Sequence, residues 1–506
     1  MMADAFSIGS LTSENNITDQ ERDYKDNILR TNMRHKITAL TAILVTSLAL
    51  STRTFAQEMR TTYFMQTSDL RHEMNPALLD HAYMSMPLLG NINIGTTGNF
   101  GAKTFIFDMQ PTWQGYGIDG HTRTTFMHPD VSASEFLNGL KDNNRLNVNF
   151  KYQLFSFAFK AFGGFNSVEA NVRSNTSVNL PKSLFEFMKT AGDKTDYDIS
   201  NLGARSETFA EIGLGHSHKI NEKWTVGGKV KVLVGGAYAY ANAEQMHLHL
   251  DEDYWRITGN IAAEVAVSGL QMKVNEHADP ENPNRYEVDD AEFDFKGINN
   301  LGAAFDLGAT WKPIDHLTVS ASVTDLGFIK WKQSQQMSST SEWTFDGFDE
   351  DIYVGGDEEN SASLDDQFES IGDDLEDVFT VYYDGAQTKR HALAANIHLG
   401  AEYALPMYDR LRFGFLYTSR LAGIHSWHQG MLSVNIRPVK WFELSLSGSA
   451  ASSGVSGGMA LDLHAKRFNL SLGTDCFISK MDKNGIPLQK ANNNVYLGIS
   501  YPFSKI

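Results

Sequence analysis

The sequence contains one cysteine, Cys476, among 506 residues. That excludes an internal disulfide framework and any zinc or iron–sulfur site built on several thiolates. Proline is scarce at 12 residues and the hydrophobic share is 42%, which together argue against a disordered chain. Positive charge is in deficit: 43 Lys and Arg stand against 61 Asp and Glu, for a net of −18. A nucleic-acid partner needs a basic surface and is not expected. Beyond residue 57 no apolar run approaches the roughly 18 residues of a spanning helix. Enzyme signatures are missing as well: there is no Gly-x-Ser-x-Gly, no His-Glu-x-x-His and no phosphate loop with its lysine. The expectation is a protein that is not an enzyme and carries no cofactor.

What is present is glycine (41) and aromatic residues (31 Phe, 18 Tyr and 8 Trp), the composition of many short strands and turns. Near the start, Met33-Arg34-His35-Lys36 is a positive region, Ile37–Leu50 is an uncharged apolar stretch, and Thr54-Phe55-Ala56 ends in small residues. This order is that of a cleavable secretion signal, and it predicts cleavage after Ala56. Residues 1–32, polar and mixed in charge, read as an upstream extension, with Met33 as the true start. The remaining organisation reads as an amino-terminal plug over 57–82 and a sheet from 83 to 506, with 333–388 as an acidic external loop.

The body alternates with period two. Leu317, Val319, Ala321 and Val323 share one face against Thr318, Ser320, Ser322 and Thr324. Leu393, Ala395, Ile397, Leu399 and Tyr403 oppose Asn396, His398 and Glu402; Phe442, Leu444 and Leu446 oppose Glu443, Ser445 and Ser447. Successive strand side chains point to opposite faces, so each segment has an apolar and a polar side. A soluble sandwich would seal the apolar faces inside, whereas a membrane barrel would turn them out to lipid. Three features favour the barrel. Polar and charged positions (His398, Glu402, Arg412, Glu443, Asp462, His464) fall on what would be a wet lumen. Short turns at 221–222, 313–315, 406–409, 438–439 and 466–467 alternate with longer connections. Beside those turns stand Trp224, Trp311, Tyr403, Tyr408, Trp441 and Phe468, as in an interfacial aromatic girdle. The expected fold is an all-β, transmembrane antiparallel β-barrel of about 14 strands. Sixteen would follow if 251–297 added two more.

The last strand, Asn494–Phe503, alternates and closes on an aromatic residue, resembling the signal read by the barrel-assembly machinery, which would then be a partner along with the lipid bilayer. Short helices are expected at 132–140 and 181–190, where Phe136, Leu137 and Leu140, and Leu184, Phe185 and Met188, group at helical spacing. From Asp346 to Asp377 there are 14 acidic residues, and no Lys or Arg occurs between Lys332 and Lys389. This loop accounts for most of the net charge, and its Leu364, Phe368, Ile371, Leu375 and Phe379 suggest a third, amphipathic helix. Clustered carboxylates suit Ca²⁺, but no Asp-x-Asp-x-Asp-Gly loop is present. His247, His249 and Asp251 form a candidate metal set on one strand face, weighed against ordinary exposed residues. Glu402 and Arg412 flank one turn symmetrically and are expected to pair inside the barrel.

The turn Asn75-Pro76-Ala77, after the signal, is similar to that of the long-chain fatty-acid transporter family, whose amino-terminal hatch plugs a fourteen-stranded barrel. A wider resemblance runs through Met74–Ala77, Met86–Asn93, Leu137–Leu146, Asn179–Pro181 and Phe305–Trp331. Its most recognisable stretches are Asp306–Trp311 and Val323–Phe328. These look like an uncharacterised family of outer-membrane barrels from anaerobic Gram-negative bacteria. The resemblance implies an outer-membrane barrel with a plug, and a possible small hydrophobic ligand bound or passed through it. The competing reading is a structural, secretion or assembly barrel presenting its acidic loop to partners.

Overall fold

Alternation of this kind can bury only one face of each strand, and the architecture follows from which face that is. The computed structural model describes residues 59–114, 123–294, 297, 299–346, 380–452, 454–465, 467–476 and 493–503. The extension 1–32, the signal segment 33–56 and the acidic stretch 347–379 lie outside the described residues. Among those described, fourteen columns of antiparallel strand form the wall. They are β1 (Tyr83–Ser85 and Asn91–Gly98), β2 (Asn143–Ala161), β3 (Gly164–Pro181), β4 (Gly203–Lys219) and β5 (Trp224–Leu250). Next come β6 (Trp255–Val267 and Asn300–Ile314), β7 (Leu317–Phe345), β8 (Tyr382–Ala392 and Ala395–Leu405) and β9 (Tyr408–Leu421). The wall ends with β10 (Trp427–Val439), β11 (Phe442–Ala451), β12 (Gly454–His464), β13 (Asn469–Thr474) and β14 (Asn493–Pro502). Each pairs with its sequence neighbour, and β1 pairs with β14 through Met84↔Tyr501 and Asn93↔Tyr496. The sheet is therefore closed and has no free edge.

Residues 251–297 explain why fourteen is the count and not sixteen. Trp255–Val267 sits between the upper parts of β5 and β7, and Asn300–Ile314 sits between their lower parts. The two segments are one wall position, interrupted by an external hairpin of Leu270–Asp279 and Asn282–Phe293. Sequence alternation sees two strands here, but the register places them in one column.

The wall is inverted relative to a soluble protein. Leu214, Val232, Phe305 and Leu432 are exposed to between 51% and 67%, while Glu169, Asp306, His398 and Asp462 are at most 2% exposed. An outward apolar band around a polar interior is what a lipid solvent requires, since hydrocarbon takes up apolar side chains and offers nothing to polar ones. At the short-turn end, Trp224 and Trp311 are cross-strand partners stacked at 5.6 Å. Tyr403, Tyr408, Trp441 and Phe468 are exposed at the same end, completing a belt of aromatics. The expected helices occur as Ala133–Asn138 and Lys182–Thr190. Phe136 and Phe185 pack with Phe105 and Phe126 into an aromatic cluster of the loops.

Candidate functional site

Residues 59–82 run inside the wall as three short turns, Arg60–Thr62, Arg71–Glu73 and Pro76–Leu78. A segment so irregular leaves backbone N–H groups unpaired, and the polar inner face of the barrel supplies the acceptors. Asp475 accepts from Arg60 N at 3.0 Å and Thr61 N at 2.8 Å. Glu443 accepts from Gln66 N at 3.1 Å and from Thr67 N at 2.9 Å, and Asp462 accepts from Thr67 Oγ1 at 3.3 Å. Asp69 is held by Ser500, Asn469 and His81. These carboxylates belong to β11, β12, the end of β13 and the plug itself, so the plug is fastened by charge-assisted hydrogen bonds to strands far away in sequence.

The Asn75-Pro76-Ala77 turn is a capped start. Asn75 Oδ1 accepts from Ala77 N at 3.1 Å, its amide donates to Tyr63 Oη at 3.1 Å, and proline occupies the first turn position. Ser322 donates to Met74 O at 2.6 Å. The turn rests on Gly227 and Gly308, which face each other across β5 and β6. A Cβ on either glycine would collide with Pro76, Ala77 or Asn75, so the seat is a notch cut in the wall by two missing side chains.

Two plug histidines have opposite electrostatics. Burial lowers the pKa of His81, but hydrogen bonds to the carboxylates of Asp69 and Asp80 outweigh it and raise the value to about 9. Burial dominates at His72 and pushes it down to about 4 against the pull of Glu169.

The inward residues singled out from the sequence divide into two groups. Glu443 and Asp462 both touch the plug. His398 is buried with Nδ1 at 3.2 Å from Thr418 Oγ1, and His464 Nδ1 lies 2.7 Å from Asn469 Oδ1. Arg412 Nη1 lies 3.3 Å from Glu402. The metal candidates are spread differently. His249 Nδ1 is 2.8 Å from Asp196 and its Nε2 is 3.9 Å from Asp251, while His247 Nδ1 is 3.6 Å from Asp198. No cluster of three His, Cys, Asp or Glu that could hold a metal occurs among the described residues.

Sequence reading missed the largest inner network. Asp325 receives Arg173 through two nitrogens at 2.7 and 2.9 Å and Lys231 at 2.7 Å. Lys231 also reaches Asp306 at 2.8 Å, Arg173 reaches Glu211 at 3.2 Å, and Lys229 reaches Glu169 at 2.9 Å. Lys151 pairs with the plug's Glu73 at 2.8 Å. The signal was there in part: Lys229 and Lys231 alternate with the outward Val230 and Val232. Their partners lie on other strands, and period two alone does not say which strands meet.

Above the plug is a cavity open to solvent. Its floor is Met59, Leu70, Glu73 and Met74 of the plug, and its wall includes Phe150, Trp427 and this ionic network.

Residues 76–475 match a protein family described as a family of unknown function, DUF5723. The chain belongs to that family. No curated protein matches the DUF5723 chain. Among solved structures it is similar to the toluene transporter TbuX of Ralstonia pickettii, at 9% identity and a TM-score of 0.42 over 88% of this chain and 98% of that one. It is also similar to a Pseudomonas aeruginosa FadL homologue, at 9% identity and 0.37 over 89% and 99%. The toluene transporter TodX of P. putida gives 9% and 0.37 over 86% and 94%.

Proposed function

We propose that the chain is an outer-membrane barrel of a Gram-negative bacterium that captures or passes a small hydrophobic molecule through a lumen controlled by its amino-terminal plug. The observation that carries the reading is the plug itself. It is seated in a glycine notch and fastened by hydrogen bonds and ion pairs, all of which can exchange with water, beneath a cavity that it helps to line. Most of the cavity's charges meet one another: Lys151 with Glu73, Lys229 with Glu169, and Arg173 and Lys231 with Glu211, Asp306 and Asp325, while Arg420 also lines it. A site whose ionic groups largely satisfy one another makes little demand for a charged ligand. Met59, Leu70, Met74, Phe150 and Trp427 offer the apolar surface. The export signal expected at 33–56 and the aromatic belt support the location.

Uptake of a small apolar fluorophore into liposomes, with and without residues 57–80, tests the reading. Faster uptake through the shortened barrel and saturable uptake through the intact one are expected. A barrel that passes nothing in either form, and that purifies with a stoichiometric partner, would replace transport by the assembly reading.

A further inference from the structure

Three cations stand on the outward wall with no anion paired to them among the described residues. Lys330 on β7 lies directly opposite Arg390 on β8, and both share the face of Phe328 and Ala392. Lys332 is exposed one step further along the same face. The fourth cation of this region, Lys389, opposes the buried Trp331 and belongs to the inner face. Like charges directly opposite one another destabilise a strand pair unless a counter-charge joins them. Several other cations beyond the apolar band meet carboxylates of this chain. Arg256 lies 3.5 Å from Glu342, Lys273 lies 3.5 Å from Glu292, and Arg285 lies 3.4 and 3.2 Å from Asp279 and Asp384. Among the described residues no acidic side chain pairs with Lys330, Lys332 or Arg390, in a protein whose net charge is −18.

Their height decides what could. From the girdle end, the outward face of β7 reads Leu317, Val319, Ala321, Val323, Leu326, Phe328 and then Lys330 and Lys332. At ~3.3 Å per residue and ~40° tilt, the rise from Leu317 to Phe328 is roughly 28 Å, enough to cross a barrel's apolar band of about 25 Å. The cations therefore begin where hydrocarbon ends, in the headgroup layer of the leaflet opposite the girdle. Arg390 packs its guanidinium over Phe328 at 5.2 Å, which anchors the charge at that boundary and leaves its N–H edge for an acceptor.

We propose that Lys330, Lys332 and Arg390 form a binding site for a phosphate-bearing lipid headgroup in the leaflet on the long-loop side. Guanidinium and ammonium groups make charge-assisted hydrogen bonds to phosphate, and an anion at this position, flush with the apolar band, sits where acyl chains continue below it. The site goes beyond the transport reading and needs only that the wall faces lipid.

The test uses the full chain in maltoside micelles, following its heat-unfolding midpoint by gel mobility. The probes are bisphosphorylated lipid A, the same lipid stripped of phosphate, and inorganic phosphate. The midpoint should rise with the phosphorylated lipid alone. The K330Q/K332Q/R390Q variant should lose most of that rise, whereas K312Q, at the girdle end, should keep it. If the triple variant does not fold, K332Q by itself should lose part of the rise. An equal rise in the triple variant and wild type, a rise with stripped lipid, or the same rise with inorganic phosphate would overturn the proposal.

Discussion

At Asp325 the backbone turns to φ +60°, and the register shifts so that Thr324 and Asp325 both lie between the partners of Leu307 and Phe305. This is a β-bulge, and it spends local strain to aim a carboxylate into the lumen at Arg173 and Lys231. Both cations are largely buried and keep other partners, Arg173 with Glu211 and Lys231 with Asp306, so removing the shared anion costs its three charge-assisted hydrogen bonds and does not strand a charge. Asp325→Asn should cost about 1.5–3 kcal/mol in denaturant unfolding, the scale of hydrogen bonds to charged groups. The Glu402–Arg412 pair is longer and wetter, and Arg412→Ala should cost only ~1 kcal/mol or less in the same assay. His81 gives a pH dependence whose sign follows from its raised pKa. The protonated form is favoured in the folded plug, so its contribution is complete below the ordinary value of 6.5 and is lost as pH rises towards about 9. Heat-unfolding midpoints should fall over that window in wild type and fall less in His81→Gln.

At the scale of elements, the plug and its seat are a lock of complementary shapes. Gly308→Val would place a Cβ and its two methyl groups where Asn75 and Pro76 now sit. The wall would tolerate it, because Val is at home in a strand, and the plug would not. Planar-bilayer recordings should show frequent or sustained openings for Gly308→Val, with circular dichroism unchanged from wild type. The strands themselves were legible in the sequence: Leu317–Thr324 and Phe442–Ser449 alternate without interruption, and the aromatic residues beside the short turns mark one interface. The column shared by Trp255–Val267 and Asn300–Ile314 was not legible, because alternation reports which face a residue takes and says nothing about its neighbour. The same limit hid the lumen network. Lys231 and Asp325 are 94 positions apart, and only the register of β5 on β6 and of β6 on β7 brings them within reach. Glu402 and Arg412 could be matched in advance since one tight turn joins their strands. The glycine notch was hidden for another reason: a missing side chain leaves no pattern, and what fills it comes from the start of the chain.

For the molecule as a whole, everything follows from a wall whose apolar residues face outward around a charged and plugged interior. The chain's single cysteine, Cys476, makes that arrangement directly measurable. With Cys476→Ser as background, cysteines at Leu432 and Ser433 of β10, each carrying a nitroxide label in turn, can be probed in liposomes for collision with oxygen, which concentrates in hydrocarbon, and with a water-soluble nickel chelate. The account predicts high oxygen and negligible chelate collision at 432, and the reverse or a sheltered signal at 433. A label at 432 that meets the chelate freely, with 433 equally wet or apolar and sealed, would contradict a lipid-facing wall.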